Sequence, residues 1–248
     1  MRHFLSQHRS YMFGIALLVL ACASIANKAY FAASVKNIQP ANTTRGVLRY
    51  VPIGDSYTIG ESVSPNMNFP EQLARKLTED GTSVQVVANP SRTGFTTAQV
   101  LAVELPVIEA SHPDAATLLI GVNDWVQGVS EAEFRDRLSN ILDRMLLILP
   151  NRKIIVITIP DFSITPTGKL YAIGRDAKAG ISRFNQIIVE EAVKRGLPAI
   201  DIYPLSQTLT VTGGYVALDG LHPTAKAYAK WVELIYPTFK DVLIGSAK

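Results

Sequence analysis

Short aliphatic and β-branched runs recur along the chain at Leu48–Ile53, Val84–Ala88, Ala115–Ile120, Ile154–Ile159 and Ala199–Ile202. Each has the length and composition of a buried strand. Between and after them, apolar positions return every three or four residues over Pro70–Glu79, Thr97–Glu109, Glu131–Leu149, Arg175–Arg195 and Thr224–Phe239, which predicts helices. Pro106 is expected to end or kink the second of these. Strands alternating with helices of this length imply crossover connections and a parallel sheet covered on both faces. In such a sheet, functional groups gather beyond the carboxyl ends of the strands.

The first 46 residues have a different pattern. Arg2 and Arg9 precede an apolar run, Tyr11–Ala26, that is short for a membrane span and fits the hydrophobic region of a signal peptide. Ala21 with Ala23, or Ser24 with Ala26, would supply a cleavage site. Two alternatives are an uncleaved single-pass anchor and a lipoprotein-like site at Cys22, the chain's one cysteine. All three place the remainder outside the cytoplasm, secreted or tethered to a membrane. Residues 1–26 are thus read as signal peptide or anchor, 27–46 as a flexible tether and 47–248 as the folded domain. Without a second cysteine that domain must hold together by its core alone.

Charge divides along the same boundary. The 248 residues carry a net charge of +3, but residues 1–46 hold Arg2, Arg9, Lys28, Lys36 and Arg45 and no acid. The rest has 19 of the 24 Lys and Arg against all 21 Asp and Glu, a net of −2. That balance leaves no basic stripe for nucleic acid.

The segments just past the predicted strands are rich in reactive and polar side chains. Asp55 and Ser56 come after the first strand, "NPSRTGFTT" (89–97) after the second, "GVND" (121–124) after the third and "PDFSITPTGKLYAIG" (160–174) after the fourth, while "DGLHP" (219–223) lies beyond the fifth. A serine hydroxyl needs a base to become a nucleophile. The domain offers two histidines. His112 precedes the third strand and belongs to the opposite sheet edge, as a surface turn residue. His222, before Pro223, is expected in the first turn of the last helix, on the active edge. Asp219, three residues earlier, can hydrogen-bond its imidazole and fix its tautomer. The Gly94 N–H, the Asn123 side-chain amide and the Ser56 N–H are candidate donors to an oxyanion.

Taken singly, each residue has an ordinary explanation: a turn glycine, a turn asparagine, a helix cap. Together, five complementary groups at successive strand ends favour acyl transfer. The elbow pattern G-x-S-x-G is absent, with Thr58 at its last position, and no G-x-G-x-x-G comes after the first strand. The domain lacks further His or Cys for a metal site, so neither metal nor cofactor is expected.

"GDSY" (54–57), Gly94 in "SRTGFTT", "GVND" and "DGLHP", in that order, resemble the SGNH hydrolases, also called the GDSL esterase/lipase family. The likeness runs from about Val47 to the C-terminus. It implies an α/β fold, a three-layer α/β/α sandwich with a central, mainly parallel five-stranded sheet of flavodoxin-like kind. It further implies Ser56 as nucleophile and first oxyanion donor, Gly94 and Asn123 as the other donors, and Asp219 and His222 as acid and base. Tyr57 replaces the leucine of the eponymous motif, and Ser91 stands where an earlier glycine is often found. Asp55 and Asp124 are read as loop-organising.

These features together imply an extracytoplasmic serine esterase acting on a small-molecule, glycan or lipid ester through an acyl-serine intermediate. Its alternatives are a glycan acyltransferase or deacetylase with the same triad, a catalytically silent binding domain of this fold, and a Rossmann-like nucleotide binder without a phosphate loop. The segment 160–174, with Phe162 and Tyr171, is expected either to shape the substrate pocket or merely to pack onto the domain, and Trp125 to add a wall.

Overall fold

The structure is a computed structural model that describes residues 46–244 apart from residue 152. The leader and most of the tether read from the sequence lie outside the described residues. All described residues belong to the unit Gln39–Lys248, and among them no helix is long and apolar enough to cross a membrane.

Strand β1 (Leu48–Gly54) leads into the short α1 (Ser56–Ile59), then α2 (Phe69–Glu79) and β2 (Val84–Val86). Helix α3 (Thr97–Gln99) passes through a π turn, Val100–Glu104, into α4 (Leu105–Ser111). Next come β3 (Ala115–Leu119), α5 (Val122–Val126), α6 (Glu131–Ile148) and β4 (Ile154–Ile157). The chain continues through α7 (Gly168–Tyr171), α8 (Ala177–Lys194), β5 (Ala199–Ile200) and α9 (Tyr203–Ser206) to α10 (Ala225–Ile244). The five strands form one wholly parallel sheet in the order β2-β1-β3-β4-β5. Helices α2 and α10 pack together on one face, and α3–α4, α6 and α8 on the other. This is the three-layer sandwich expected from the sequence. The order reverses direction at β1, so the crevice between the carboxyl ends of β1 and β3 is the natural binding place.

Several boundaries differ from the sequence reading for local reasons. Strand β2 stops at Val86 although apolar residues continue. Val87 N–H still donates to Tyr50 O at 3.0 Å, but the next rung needs an N–H at position 52, where proline has none. Strand β4 stops at Ile157 because side chains take over its backbone groups. Asn185 Oδ1 accepts from Ile159 N–H at 2.8 Å, and its amide donates to Ile159 O at 2.9 Å. The helix across Pro106 is not broken. The π turn, with Leu105 N–H reaching back to Val100 O, puts Pro106 in the first turn of α4, where its missing N–H costs little. The cap residues are legible in the sequence: Asn68, Ser130 and Asp176 accept N–H groups from the first turns of α2, α6 and α8.

An aromatic cluster fixes α10 in place. Tyr228 and Trp231 meet edge-on at 5.3 Å, Phe69 of α2 lies 6.3 Å from Tyr228, and Phe239 sits 5.2 Å from Tyr50 of β1. All of these are buried. The packing carries the start of α10, and the loop before it, back over the end of β1.

Candidate active site

Gly54 closes β1 where a larger residue would not fit: a Cβ there would stand 2.2 Å from Leu119 O and 2.3 Å from Thr58 Oγ1. The chain turns at once into α1, capped by Asp55, whose Oδ1 accepts Tyr57 N–H at 3.0 Å. Ser56 is therefore the first residue of a helix at the strand tip, and its N–H is among those with no intrahelical partner. The serine itself is 6% exposed and opens onto a cleft of ≈ 320 Å³.

Ser56, Gly94, Asn123 and His222 all line this cleft. Gly94 has φ +83°, a left-handed conformation that favours glycine, and the space beside it is open. Asn123, at the start of α5, donates through Nδ2 to Phe95 O at 2.9 Å. That bond fixes which end of the amide is NH₂ and leaves its second hydrogen for the cleft. Asp124, fully buried, ties the same two loops together, accepting from Thr97 N–H at 2.9 Å and from the Thr97 hydroxyl. Thr93, beside Gly94, donates to Glu61 in the loop after α1.

The candidate acid–base pair is formed within one tight loop. Asp219 Oδ1 accepts Leu221 N–H at 2.8 Å and His222 N–H at 3.0 Å, while Oδ2 lies 2.6 Å from His222 Nδ1. Partial burial alone would raise the Asp219 carboxyl, but hydrogen bonds from Ser62, His222 and these N–H groups outweigh it and hold it well below the usual carboxylate range. An ionised Asp219 keeps the proton on Nδ1 and leaves Nε2 as the basic nitrogen. Among the described residues no hydrogen bond joins Ser56 Oγ to His222. In unliganded enzymes this contact is often long and shortens with substrate.

His222 is not in the first turn of the last helix, as the sequence suggested. Pro223 pairs with Val216 in an antiparallel bridge, and Ala217 N–H donates to His222 O at 2.8 Å. The helix begins at Ala225, after Thr224, whose hydroxyl accepts Ala227 N–H at 3.3 Å. His112 stands at the C-terminal end of α4, away from the cleft, as expected.

Asp55 carries no such set of donors. It is fully buried, its Oδ2 has no partner, and burial pushes its carboxyl up to about 8, with Asp124 adding to the rise. Beneath it Glu104, in the π turn, accepts the Gly54 N–H at 2.9 Å, and burial raises this carboxyl too. Sequence reading missed Glu104, because a glutamate inside an amphipathic helical stretch carries no signal that the helix will bulge and bury it.

The segment 160–174 does border the cleft: Phe162 and Tyr171 both line it, together with Val122, Val126 and Leu221. Phe162 is buried, whereas Tyr171 is 51% exposed at the rim. Trp125 does not add a wall. It packs against Gly180 of α8, where a Cβ would come within 1.9 Å of its Nε1. Arg175 lies 3.7 Å over its ring and donates to its carbonyl at 2.6 Å. Trp125 thus anchors the end of the segment from below. Among the described residues no three His, Cys, Asp or Glu side chains gather as metal ligands.

No curated protein matches this chain in sequence. Among solved structures, TesA is similar over 78% of this chain and 99% of its own, with a TM-score of 0.63 and 22% identity. The lipase/acylhydrolase from Enterococcus faecalis is similar over 78% and 95%, at 0.63 and 25% identity. The Clostridium thermocellum family 3 carbohydrate esterase is similar over 82% and 100%, at 0.63 and 21% identity. The model of the GDSL-like Lipase/Acylhydrolase family matches residues 53–230, which spans the Ser56 turn, both candidate oxyanion loops and the Asp219–His222 loop. The chain belongs to the GDSL-like lipase/acylhydrolase family and is a serine hydrolase of ester bonds.

Proposed function

We propose that the protein hydrolyses carboxylic esters with an apolar acyl chain, outside the cytoplasm, using Ser56 as nucleophile. His222 Nε2 takes the Ser56 proton as Oγ attacks the carbonyl carbon, and Asp219 balances the imidazolium through Nδ1. The Ser56 N–H, the Gly94 N–H and the free Asn123 amide hydrogen receive the developing oxyanion. His222 then protonates the leaving alcohol, and water attacks the acyl-enzyme with His222 again as base.

The observation that carries this reading is the Asp219–His222 pair at 2.6 Å, whose imidazole opens with Ser56, Gly94 and Asn123 onto one cleft. The acyl preference is supported by the aliphatic and aromatic walls, Val122, Val126, Phe162 and Leu221, and by the half-exposed ring of Tyr171 at the rim. The extracytoplasmic location is supported by the Arg2, Arg9 and Tyr11–Ala26 pattern of the leader.

The test is hydrolysis of p-nitrophenyl esters from acetyl to dodecanoyl by the full-length protein, with Ser56→Ala and His222→Ala alongside. The expected result is activity that rises from acetyl to longer acyl groups and falls by several orders of magnitude in both variants. Undiminished turnover by Ser56→Ala would refute the assignment of the nucleophile. Strict preference for acetyl would refute the acyl reading.

A further inference from the structure

Two non-glycine residues among those described have positive φ, His112 at +45° and Ser62 at +69°. His112 closes α4, where a left-handed residue is routine. Ser62 closes nothing, because Gly60 already ends α1 with φ +82° and an N–H bond to Ser56 O. Ser62 sits third in the turn Gly60–Val63, which Val63 N–H closes on Gly60 O at 3.2 Å. A positive φ at that turn position favours Gly or Asn. A serine held there without need is an outlier that asks for a function.

Its hydroxyl supplies one. Ser62 Oγ donates to Asp219 Oδ2 at 2.6 Å, the same oxygen that faces His222 Nδ1. The two N–H groups on Oδ1 come from Asp219's own loop and move with it. Ser62 comes from the turn that follows α1, the helix Ser56 begins. The adjacent Glu61 reaches the other way, to Thr93 beside Gly94. On the far side of Asp219, Thr167 Oγ1 donates to its carbonyl at 2.7 Å. One turn therefore braces the acid–base loop on one side and the Gly94 loop on the other.

We propose that Ser62 is a positioning residue: its hydroxyl holds Asp219, and through it His222, in register with the loop that carries Ser56. The inference rests on the roles of Ser56, His222 and Asp219 given above. Losing the hydroxyl frees Oδ2 to rotate away, and the imidazole with it. Ser62 does not line the cleft, so the loss should fall on kcat.

The experiment compares Ser62→Ala and Ser62→Gly with the wild type on p-nitrophenyl butyrate, and combines Ser62→Ala with Asp219→Ala. Glycine relieves the backbone at positive φ, so this variant should melt no lower than the wild type while kcat falls about tenfold. KM should stay within about twofold, and Ser62→Ala should add little once Asp219 is gone, because a residue acting through Asp219 has nothing left to position. Wild-type kcat in a folded Ser62→Gly protein, or an equal loss with and without Asp219, would overturn the inference. Ser56→Ala serves as the control: if it retains activity, the underlying reading fails and the inference with it. If it is inactive while Ser62→Gly is not, only the inference fails.

Discussion

The two aspartates nearest the proposed nucleophile and base, Asp55 before Ser56 and Asp219 before His222, are treated in opposite ways. Asp55 is fully buried, accepts one N–H on Oδ1 and leaves Oδ2 unpaired, so the neutral acid is favoured and its carboxyl rises to about 8. Asp219 is partly exposed and accepts from Ser62, His222 and two N–H groups, so the anion is favoured. The difference matches the roles proposed for each. Charge that offsets an imidazolium has to be present at neutral pH, whereas a helix cap only has to accept a hydrogen bond. Sequence position beside the proposed nucleophile therefore says less about a carboxyl's role than the number of donors around it.

The strongest test of this contrast exchanges charge for amide at each aspartate. Asp219→Asn keeps an oxygen for Leu221 and His222 N–H but offers no negative partner to Nδ1, so kcat should drop by roughly three to four orders of magnitude with little change in melting temperature. Steady-state kinetics on a p-nitrophenyl ester reads it. Loss of less than about tenfold would mean that Asp219 does not orient the base.

Asp55→Asn should act on stability instead. A carboxyl raised from its ordinary value near 4 to about 8 binds a proton in the folded state that the unfolded chain has released. Its contribution is present at low pH and is lost as pH rises through that window, with Glu104 and Asp124, also raised by burial, acting in the same direction. Glu191, lowered to about 2 by Lys194, Arg135 and Arg195 against the effect of its burial, titrates in the folded state well below this range. Stability from about pH 5 to about pH 8.5 should therefore fall, and Asp55→Asn should remove on the order of 4 kcal/mol of that fall. Chemical denaturation at the two pH values measures it; equal slopes for variant and wild type would contradict a neutral Asp55.

The smallest effect is expected where neither aspartate reaches. Tyr171→Ala trims the exposed rim of the cleft, and selectivity for decanoyl over acetyl esters should drop about fivefold, equivalent to about 1 kcal/mol of lost apolar contact. A chain-length profile identical to the wild type would assign Tyr171 to packing alone.

Much of this arrangement is legible in the sequence. All five strands, the long helices, the parallel sheet and its three layers are implied by the spaced apolar runs, because burial on both faces leaves a continuous hydrophobic signature. Ser56, Gly94, Asn123, Asp219 and His222 all fall beyond the carboxyl ends of strands. The structure brings four of them to one cleft, with Asp219 behind the His222 imidazole. What sequence conceals depends on contacts between distant segments. Ser62 reaches across 157 positions to Asp219. Glu104 is buried by a π turn that no periodicity announces, and Asn185 ends β4 from the middle of a helix. Pro52 could have warned that β2 would be short, since its missing N–H is a property of the residue itself. Trp125 beside Asn123 suggested a cleft wall, yet the absence of a Cβ at Gly180 gives its ring a place on α8.

Nucleophilic catalysis at Ser56 requires that this residue, and no other, become acylated. Treating the full-length protein with a fluorophosphonate and mapping the adduct by peptide mass spectrometry tests it directly. The expected result is a single adduct on the peptide containing Ser56, formed in step with loss of esterase activity and absent from Ser56→Ala. Stoichiometric labelling of another residue, or inactivation of the Ser56→Ala protein at the wild-type rate, would contradict it.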